Sequence, residues 1–406
     1  MSKSTIRVGV IGAGLRAASY FTNLPQELHK RVQLVALADP NPRHSAAFAE
    51  KYAPILSDGV TPRFYARGID LLENEELDAL VIGSPNNAHA ADACPAFERK
   101  IPTLLEKPVA VSVEECRQMW QSWQAAGEPP VTVGFVLRTT PFYDRIREIV
   151  QSGQLGQLLT LDADENIGTG TTRQMRSGWR SWSQNCGGFM IEKCSHDFDL
   201  LRWISGSEAK RVFSFAARTH FRPGNEQAEE RFDHQAPDEE KLDYGDAATR
   251  RLFTEDYSGS LYTDEGDLPD HQSVLIEWEN GVTTCFTATF AQLRPTRRMR
   301  AAGTAGNVEG DAHRSRLLLD TEAVGAVNTE EIEIPHDSTG HHGGDGNTAA
   351  QFWNSAFGVV SDEAVPAAAG LREGIEAVLI GIAAQQSAES GQAVDVSELR
   401  RQVFGS

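Results

Sequence analysis

A short glycine motif near the N-terminus has the residue types and the spacing of a phosphate-binding turn. Gly12, Gly14 and Ala17 form the pattern G-x-G-x-x-A directly after an apolar run. The first glycine permits a tight turn, the second lets backbone N–H groups approach a pyrophosphate, and the small alanine lets the following helix pack close to the sheet. The N-terminus of that helix then faces the anion. The motif predicts dinucleotide binding, with Gly12, Gly14, Leu15 and Arg16 as contacts.

An acidic residue follows the motif at the distance expected of a ribose contact. Asp39 ends the second apolar run, 25 residues after Gly14. A carboxylate in that place accepts hydrogen bonds from the adenosine ribose diol and repels a 2′-phosphate, so the sequence favours NAD over NADP. Arg43, four positions later, would offset part of this repulsion and leaves NADP or dual use open.

A second group of polar side chains lies in the middle of the chain. If residues 189–204 form one helix, Glu192 and His196 lie one turn apart, beside an apolar stripe that contains Cys194. Histidine titrates near neutrality, which suits it to general acid–base chemistry. Two alternatives stay open: an ordinary surface pair, and a zinc site that includes Cys194. Because Cys194 belongs to the apolar stripe, we expect no metal.

Arginine clusters supply candidate substrate contacts. In a chain of formal charge −19, arginines that gather locally can bind a carboxylate or sulfonate through two parallel N–H donors. The arginines of the two clusters are Arg173, Arg176 and Arg180, then Arg294, Arg297, Arg298 and Arg300. We take Arg176 and Arg180 as candidates, with Arg138 and Tyr143 as weaker ones. Pairing of these arginines with acidic segments of the chain is the alternative.

Charge and composition exclude several classes of partner. The 406 residues include 38 basic and 57 acidic side chains, so most of the surface repels phosphate backbones and anionic lipid. Residues 221–270 hold 15 acidic and 5 basic side chains, which indicates a solvated insertion or lid. A metal site is the alternative, although the carboxylates lack the alternating spacing of a calcium loop. The five cysteines include no C-x-x-C pair, and no apolar run reaches the roughly 18 residues that span a bilayer. We expect a cytoplasmic protein without nucleic acid or membrane partners.

The first third of the chain alternates apolar runs with segments of helical length. The predicted strands are Ile6–Ile11, Gln33–Ala38, Ala79–Gly83, Pro102–Leu105 and Val131–Gly134, and the clearest helices are Arg43–Tyr52 and Ser112–Ala126. Repeated strand, helix and strand with right-handed crossovers gives a doubly wound parallel sheet, the Rossmann architecture of the α/β class. Residues 1–136 are therefore predicted to be the dinucleotide-binding domain.

Residues 137–406 have a different pattern. We predict a helix over Pro141–Gln151, then strands at Leu158–Ala163, Val274–Trp278, Thr283–Phe290 and Glu331–Ile334. The turn signal at residues 279–281 joins two β-rich runs and indicates antiparallel pairing. This second domain is predicted to be α+β, with a largely antiparallel sheet.

Two further motifs establish a resemblance to a known family. They are Ser84-Pro85-Asn86-Asn87-Ala88-His89 and Glu106-Lys107-Pro108, and Gly187-Gly188 precedes the segment from Glu192 to Asp199. With the glycine turn, these motifs make the chain resemble the Gfo/Idh/MocA family, named for glucose–fructose oxidoreductase and inositol dehydrogenase. The resemblance covers most of the chain. It implies a C-terminal open-sheet domain that carries the substrate, and hydride transfer at a secondary alcohol of a sugar or cyclitol.

The resemblance also implies roles for individual residues. Lys107 matches a lysine that contacts both the coenzyme and the reacting hydroxyl, and His196 matches the histidine of proton transfer. Glu192 stands where relatives have aspartate, one methylene shorter. The coenzyme contacts carried over from the motifs are Ser84, Pro85, Asn86, His89, Glu106 and Lys107.

A late glycine-rich loop adds further substrate candidates. His341, His342 and Asp345 resemble an H-G-G-D segment of sugar-acting relatives, and a helix-capping loop is the alternative. The resemblance also suggests a homodimer or homotetramer.

Three functions follow from these residues. The first is an NAD-dependent oxidoreductase acting on a sugar, sugar acid or cyclitol. The second is an NAD-dependent glycoside hydrolase that works by oxidation, elimination, hydration and reduction, on substrates that include anionic sugars such as a uronide or a sulfosugar. That cycle needs an extra base, for which His341, His342 or Tyr262 is available. The third, a non-catalytic dinucleotide sensor, is disfavoured because Lys107 and His196 are both present.

Overall fold

The structure is a computed structural model, and it describes residues 5–54, 56, 60–228, 260–263, 265–335, 341, 343–358 and 368–405. Two compact units make up the chain. The first runs from the N-terminus to Thr139 and takes in a late segment that ends at Ile375, and the second holds the remaining described residues. Most of the predicted acidic insertion, and His342, lie outside the described residues. The division into 1–136 and 137–406 stays a prediction.

The first unit contains a six-stranded parallel sheet in the order β3-β2-β1-β4-β5-β6. Its strands are β1 (Ile6–Ile11), β2 (Val32–Ala38), β3 (Arg63–Tyr65), β4 (Ala79–Ile82), β5 (Thr103–Leu105) and β6 (Val131–Val133). Its helices are α1 (Leu15–Thr22), α2 (Gln26–His29), α3 (Pro42–Tyr52), α4 (Gly68–Asn74), α5 (His89–Glu98), α6 (Val113–Ala125) and the late α12 (Gly344–Phe357), with 3-10 turns at Asn86–Ala88 and Val136–Thr139. This strand order is that of the Rossmann fold, so the predicted architecture is confirmed.

Local sequence explains how these elements form. β1 occupies the centre of the sheet, where Val8 and Val10 are fully buried, because a parallel sheet covered by helices on both faces needs apolar side chains on both sides. The side chain of Ser112 accepts a hydrogen bond from the Glu115 backbone N–H at 3.2 Å and starts α6. Ser112, the predicted start of this helix, is therefore its N-cap.

The late helix α12 shares a hydrophobic core with the first helix. Phe352 and Trp353 are buried in the same cluster as Tyr20 and Phe21 of α1. The start of α12 is also bonded to the 3-10 turn that follows β6, since the hydroxyl of Thr139 donates to the Gly344 carbonyl at 3.1 Å. This packing brings the first turn of α12 beside the helix that begins at the glycine turn.

The second unit contains a nine-stranded sheet in the order β14-β13-β12-β11-β7-β10-β9-β8-β15. Its strands are β7 (Leu158–Gly168), β8 (Ala209–Ala217), β9 (His271–Trp278), β10 (Thr283–Gln292), β11 (Arg298–Gly303), β12 (Gly306–Asp311), β13 (Arg316–Ala323), β14 (Ala326–Glu333) and β15 (Val394–Asp395). Its helices are α7 (Pro141–Gln151), α8 (Thr169–Met175), α9 (Ser183–Cys186), α10 (Phe189–Glu192), α11 (Ser195–Ser205), most of α13 (Leu371–Ser390) and α14 (Val396–Phe404), with 3-10 turns at Gly178–Ser181, Glu226–Ala228 and Ala312–Arg314. Pairing is antiparallel except between β7 and β10, which confirms the predicted α+β class.

One helix prediction was wrong. Residues 189–204 do not form a single helix, because the chain turns at Lys193 and Cys194 between α10 and α11. Glu192 therefore ends one helix and His196 lies in the first turn of the next. The turn places the Lys193 ammonium 3.1 Å from the Glu165 carboxylate on β7, a contact that the helical pattern did not indicate.

Among the described helices, none has the length and apolar character needed to cross a bilayer. All five cysteines are free thiols.

Candidate functional site

The glycine turn after β1 has the geometry that its sequence predicts. Gly12 has φ +79°, and a side chain there would collide with the backbone of Gly83 and Ser84. Gly14 is the N-cap of α1, and a Cβ built on it meets no atom within 4 Å. The space beside the first N–H groups of α1 is therefore open to an anion. These residues fit the pyrophosphate of a dinucleotide coenzyme.

Asp39 lies at the carboxyl end of β2 and holds the glycine turn from the side. Its Oδ2 accepts from the Ala13 backbone N–H at 3.0 Å, and its Oδ1 accepts from the Asn41 N–H at 2.8 Å. Nδ1 of His44 also lies 3.3 Å from Oδ1, so the acceptor capacity left for a ribose diol is on Oδ2. The residue thus supports the turn and remains chemically suited to the predicted role.

Arg16, in the first turn of α1, lies between two buried carboxylates. Its Nε is 3.0 Å from Oε1 of Glu106, and its Nη2 is 3.1 Å from Oδ1 of Asp345. Burial alone would lower the pKa of Arg16, but Asp345 and Glu106 outweigh burial and hold that pKa well above its ordinary value. The guanidinium therefore joins three distant segments: the glycine turn, the Glu106–Lys107 motif and the start of α12.

Glu106 also holds the backbone of the neighbouring residue, Lys107. Its Oε1 accepts from the Tyr20 hydroxyl at 2.5 Å, and its Oε2 accepts from the backbone N–H of Lys107 at 3.1 Å. Burial, followed by the Glu106 charge, raises the pKa of Tyr20 well above its ordinary value, so this phenol remains a hydrogen-bond donor. Lys107 is half-buried. Its backbone is thereby tied to α1 and to the glycine turn.

Asp345 and His341 complete the charged cluster. Asp345 is 1% exposed, and its Oδ1 lies 3.1 Å from Nδ1 of His341. Although burial disfavours the charged form, Arg16 and then His341 hold the pKa of Asp345 well below its ordinary value. An ionised carboxylate can only accept, so Nδ1 of His341 carries the proton. The predicted substrate role of both residues stays a prediction, since their known contacts lie within the cluster.

His89 links the motif Ser84–His89 to the motif Glu106–Pro108. Its ring is fully buried, with Nδ1 2.7 Å from the Pro108 carbonyl oxygen and Nε2 2.8 Å from the Ser84 carbonyl oxygen. The Ser84 hydroxyl in turn donates to Asp92 at 2.7 Å. His89 therefore supports the loop before α5 and the Lys107–Pro108 turn. Pro85 is exposed and Asn86 is buried in the same loop.

In the second unit, Glu192 contacts one of the predicted arginines. Its Oε1 lies 3.3 Å from Nε of Arg180, and the guanidinium of Arg180 lies over the ring of Trp179, 4.2 Å from the ring centroid. The structure thus brings together two candidates from separate segments. Glu192 is 6% and His196 4% exposed, so the alternative of an ordinary surface pair does not hold.

His196 lies beside a buried cluster of alternating charges. It is 4% exposed, and the next residue, Asp197, has Oδ2 3.3 Å from Nη2 of Arg297. Arg297 also pairs with Glu165 of β7, which pairs with Lys193. Two cations and two carboxylates therefore fix the turn from Lys193 to Asp197 on the sheet.

The pKa values of the two acids in this cluster move in opposite directions. Burial raises the pKa of Asp197 to about 7, although Arg297 opposes the shift. Burial would also raise the pKa of Glu165, but Arg297 and Lys193 outweigh it and lower that pKa. Glu165 is thus the permanent anion of the cluster.

The remaining candidates occupy supporting positions. Arg176 donates to the carbonyl oxygens of Leu268 at 3.1 Å and Phe221 at 3.4 Å, and burial followed by repulsion from Arg218 lowers its pKa to about 10. Tyr143 is 2% exposed, and burial raises its pKa well above the ordinary value. Arg138 is buried in the 3-10 turn at the end of the first unit. Their roles toward a substrate stay predictions.

Comparison with known proteins decides the family. Residues 6–135 match a family model described as an oxidoreductase family with an NAD-binding Rossmann fold. Residues 147–396 match the model of the C-terminal alpha/beta domain of the same family. The chain belongs to the Gfo/Idh/MocA oxidoreductase family. The resemblance inferred from its motifs is thus confirmed, and its first unit is the nicotinamide dinucleotide-binding domain of an oxidoreductase.

Individual relatives share the fold at low identity. YteT of Bacillus subtilis is 22% identical over 368 residues, 82% of this chain and 85% of YteT. Inositol 2-dehydrogenase of Corynebacterium glutamicum is 28% identical over 215 residues, 52% of this chain and only 57% of the relative. A solved structure of levoglucosan dehydrogenase in complex with NADH and levoglucosan has a TM-score of 0.71 at 17% identity, covering 97% of this chain and 99% of that one. Likeness at this identity shows the fold.

Several residues of this Gfo/Idh/MocA chain that support the site were not singled out from its sequence. They are Tyr20, Asp92 and Trp179, which contact the predicted site residues Glu106, Ser84 and Arg180 respectively. Arg297 was noticed only as a member of an arginine cluster. Its neighbours in sequence gave no sign that it pairs with Asp197, 100 positions earlier.

Asp345→Asn tests the ion cluster of the first unit. The variant keeps the shape of the side chain but removes one of the two anions beside Arg16, and breaking a buried ion pair on one side costs about 3 kcal/mol. We expect the free energy of unfolding, measured by urea denaturation, to fall by about that amount. Glu330→Gln, which removes one exposed charge from β14, is the control and should be neutral. Equal stability of the two variants would contradict the cluster.

Asp197→Asn tests the cluster beside His196 through its pH dependence. A folded-state pKa of about 7 lies above the ordinary value of about 3.9, so the native protein holds a proton that the unfolded chain releases. The stability supplied by this proton is fully present below the ordinary value and is lost as pH rises towards about 7. Between about pH 5 and pH 8, the free energy of unfolding of the wild type should fall by roughly 3 kcal/mol, and that of the variant should not show this fall.

The measurement is the free energy of unfolding by urea at several pH values. Asp70→Asn, which replaces an exposed carboxyl of α4, is the control and should keep the wild-type slope. The same slope in Asp197→Asn as in the wild type would remove Asp197 as its source.

Proposed function

We propose that this protein is an NAD-dependent dehydrogenase that moves hydride at a secondary alcohol of a sugar, sugar acid or cyclitol. One observation carries the proposal: Glu106 binds Arg16 of α1 and the backbone of Lys107 together. The lysine that would touch the reacting hydroxyl is thereby fixed relative to the coenzyme turn. A bound nicotinamide coenzyme would supply the hydride acceptor.

Lys107 acts on the substrate hydroxyl in this proposal. Its ammonium orients the oxygen and stabilises the negative charge that develops there as the C–H bond is broken. A fixed cation is most effective where water is excluded and nothing has to reorganise. The half-buried position of Lys107 and its anchored backbone support that role.

His196 accepts the hydroxyl proton, and Glu192 positions the substrate or the histidine. The buried charges of Asp197, Arg297 and Glu165 support this assignment because they hold the first turn of α11 rigidly. A general base must keep its ring within hydrogen-bond reach of the proton that it removes. Glu192 contributes a carboxylate that Arg180 already holds in one place.

The names of similar proteins agree with a polyol or sugar substrate. Inositol 2-dehydrogenases match the chain in sequence, and levoglucosan dehydrogenase shares its fold. We propose a small carbohydrate as the partner, a cytoplasmic location, and a homodimer or homotetramer.

The glycoside hydrolase alternative is less well supported. It needs an additional base, yet His341 contacts Asp345 through Nδ1, and Tyr262 is 2% exposed with its hydroxyl 3.0 Å from His220. His342, the third candidate, lies outside the described residues. We therefore favour the dehydrogenase.

Lys107→Met tests the proposed reaction. It removes the ammonium and keeps most of the side-chain volume, so NAD⁺ reduction with any accepted sugar should fall about 100- to 1,000-fold, which is far more than the loss of affinity for NADH. The measurements are NADH absorbance and NADH fluorescence titration. The control Lys30→Met replaces an exposed lysine and should behave as the wild type. Undiminished turnover in Lys107→Met would remove the lysine from the mechanism. Release of aglycone from a glycoside without net NADH would instead favour the hydrolase.

Asp39→Asn tests the choice of coenzyme. The wild-type carboxylate repels a 2′-phosphate, so NADH should bind more tightly than NADPH. Loss of the charge should reduce this preference at least about tenfold in fluorescence titrations. Glu50→Gln removes an exposed charge from α3 and serves as the control. An unchanged ratio of the two dissociation constants in Asp39→Asn would show that this residue does not set the preference.

A further inference from the structure

Arg180 presents two terminal nitrogens that the protein itself does not use. Its Nε contacts Glu192 at 3.3 Å, and its guanidinium lies on the ring of Trp179. Within the part of the chain that the structure describes, neither Nη1 nor Nη2 has a hydrogen-bond partner. The side chain is 19% exposed, so these nitrogens are accessible from outside the protein.

Two other arginines, each paired with buried carboxylates, show which groups bind to such an arrangement. Arg16 binds Glu106 through Nε and a second carboxylate, that of Asp345, through Nη2. Arg297 likewise pairs with Glu165 through Nε and with a second carboxylate through Nη2. Arg180 likewise contacts one carboxylate, that of Glu192, through Nε. Among the described residues, no second carboxylate contacts its terminal nitrogens. The terminal nitrogens of Arg180 are therefore available to an oxyanion, in the way that Nη2 of Arg16 and Nη2 of Arg297 each bind a second carboxylate.

The guanidinium of Arg180 is already immobilised. The guanidinium carbon lies 4.2 Å from the ring centroid of Trp179, and Nε contacts Glu192, so two contacts restrain the group. A planar fork of N–H donors matches the two oxygens of a carboxylate or the oxygens of a sulfonate. Because little rotamer freedom remains to be lost, binding of such a group costs less conformational entropy than at a mobile arginine.

We propose that the terminal nitrogens of Arg180 bind an oxyanion substituent, a carboxylate or a sulfonate, on the sugar substrate. The inference rests on the proposed function and narrows its substrate class to acidic sugars. Glu192 is the positioning residue of this subsite, since its carboxylate holds the Nε edge of Arg180 and turns the opposite edge outward.

Glu192 is long enough to make this contact, whereas an aspartate is one methylene shorter. At 3.3 Å the present contact has little slack, so Glu192→Asp should release Arg180. The expected result is a loss of preference for acidic over neutral sugars, with Arg180 still in the chain. A purely structural role of the ion pair would instead lower stability and affect both kinds of sugar alike.

The experiment compares matched sugars that differ in one charged group. The probes are D-glucuronate against D-glucose, D-galacturonate against D-galactose, and 6-deoxy-6-sulfo-D-glucose as the sulfonate arm. Affinity is measured by calorimetric titration into protein saturated with NADH, and kcat/KM is measured with NAD⁺. Each charge-assisted hydrogen bond changes the affinity about tenfold, so two such bonds predict about a 100-fold higher affinity for the acidic member of a pair.

Arg180→Met should abolish this preference, because it lowers the affinity for the acidic member of each pair about 100-fold more than the affinity for the neutral member. Arg180→Lys should restore only part of it, since an ammonium cannot make two parallel bonds. The matched control is Arg145→Met, which removes an exposed arginine paired with Glu148 in α7 and should leave both affinities unchanged. The carboxylate and sulfonate arms then show which oxyanion the subsite prefers.

Two outcomes overturn the inference. One is wild-type protein that binds no acidic sugar more tightly than its neutral partner. The other is Arg180→Met that weakens both members of a pair equally. In either case NADH formation from a neutral sugar would leave the proposed dehydrogenase standing. Failure to form NADH from any sugar counts against the proposed function instead. The calorimetric comparison of acidic with neutral sugars would then still show whether Arg180 binds an oxyanion.

Discussion

The guanidinium of Arg16, held between Glu106 and Asp345, is the interaction on which the coenzyme unit depends. It places one partly exposed cation between two buried carboxylates, each of which would be costly to leave unpaired. The three residues come from the first helix, from the segment after β5 and from α12. Because the charges must stay together, the glycine turn, the lysine motif and the late helix are held in one arrangement.

The same arrangement of charges recurs in the second unit. Arg297 joins Asp197 on α11 to Glu165 on β7, and Lys193 adds a second cation. In both units, therefore, an arginine paired with buried carboxylates fixes the backbone next to a residue proposed for catalysis, Lys107 in one and His196 in the other. The proposed catalytic groups sit beside rigid anchors, while the anchors themselves do not need to touch a substrate. Precise placement of this kind is what proton transfer and charge stabilisation require.

Local features of the site could be predicted from sequence, whereas contacts between distant segments could not. The glycine turn, the acidic end of β2 and the cap of α6 follow from spacing and residue type over a few positions. The partnership of Arg16 with Asp345 spans 329 positions and depends on how α12 packs on α1. The break between α10 and α11 was missed because the apolar pattern continues through it, while the pairing of Lys193 with Glu165 favours a turn there. His89 carries a motif signature but is fully buried, which only the packing reveals.

The measurement that tests the central claim most directly is calorimetric titration of coenzyme-free protein with NADH, for the wild type and for Arg16→Met. If the arginine organises the coenzyme unit, the wild type binds NADH at one site per chain. Arg16→Met then binds at least about tenfold more weakly, because Glu106 and the Lys107 backbone lose their anchor. Wild-type protein that binds no nicotinamide dinucleotide, or a variant that binds as tightly as the wild type, would contradict the account.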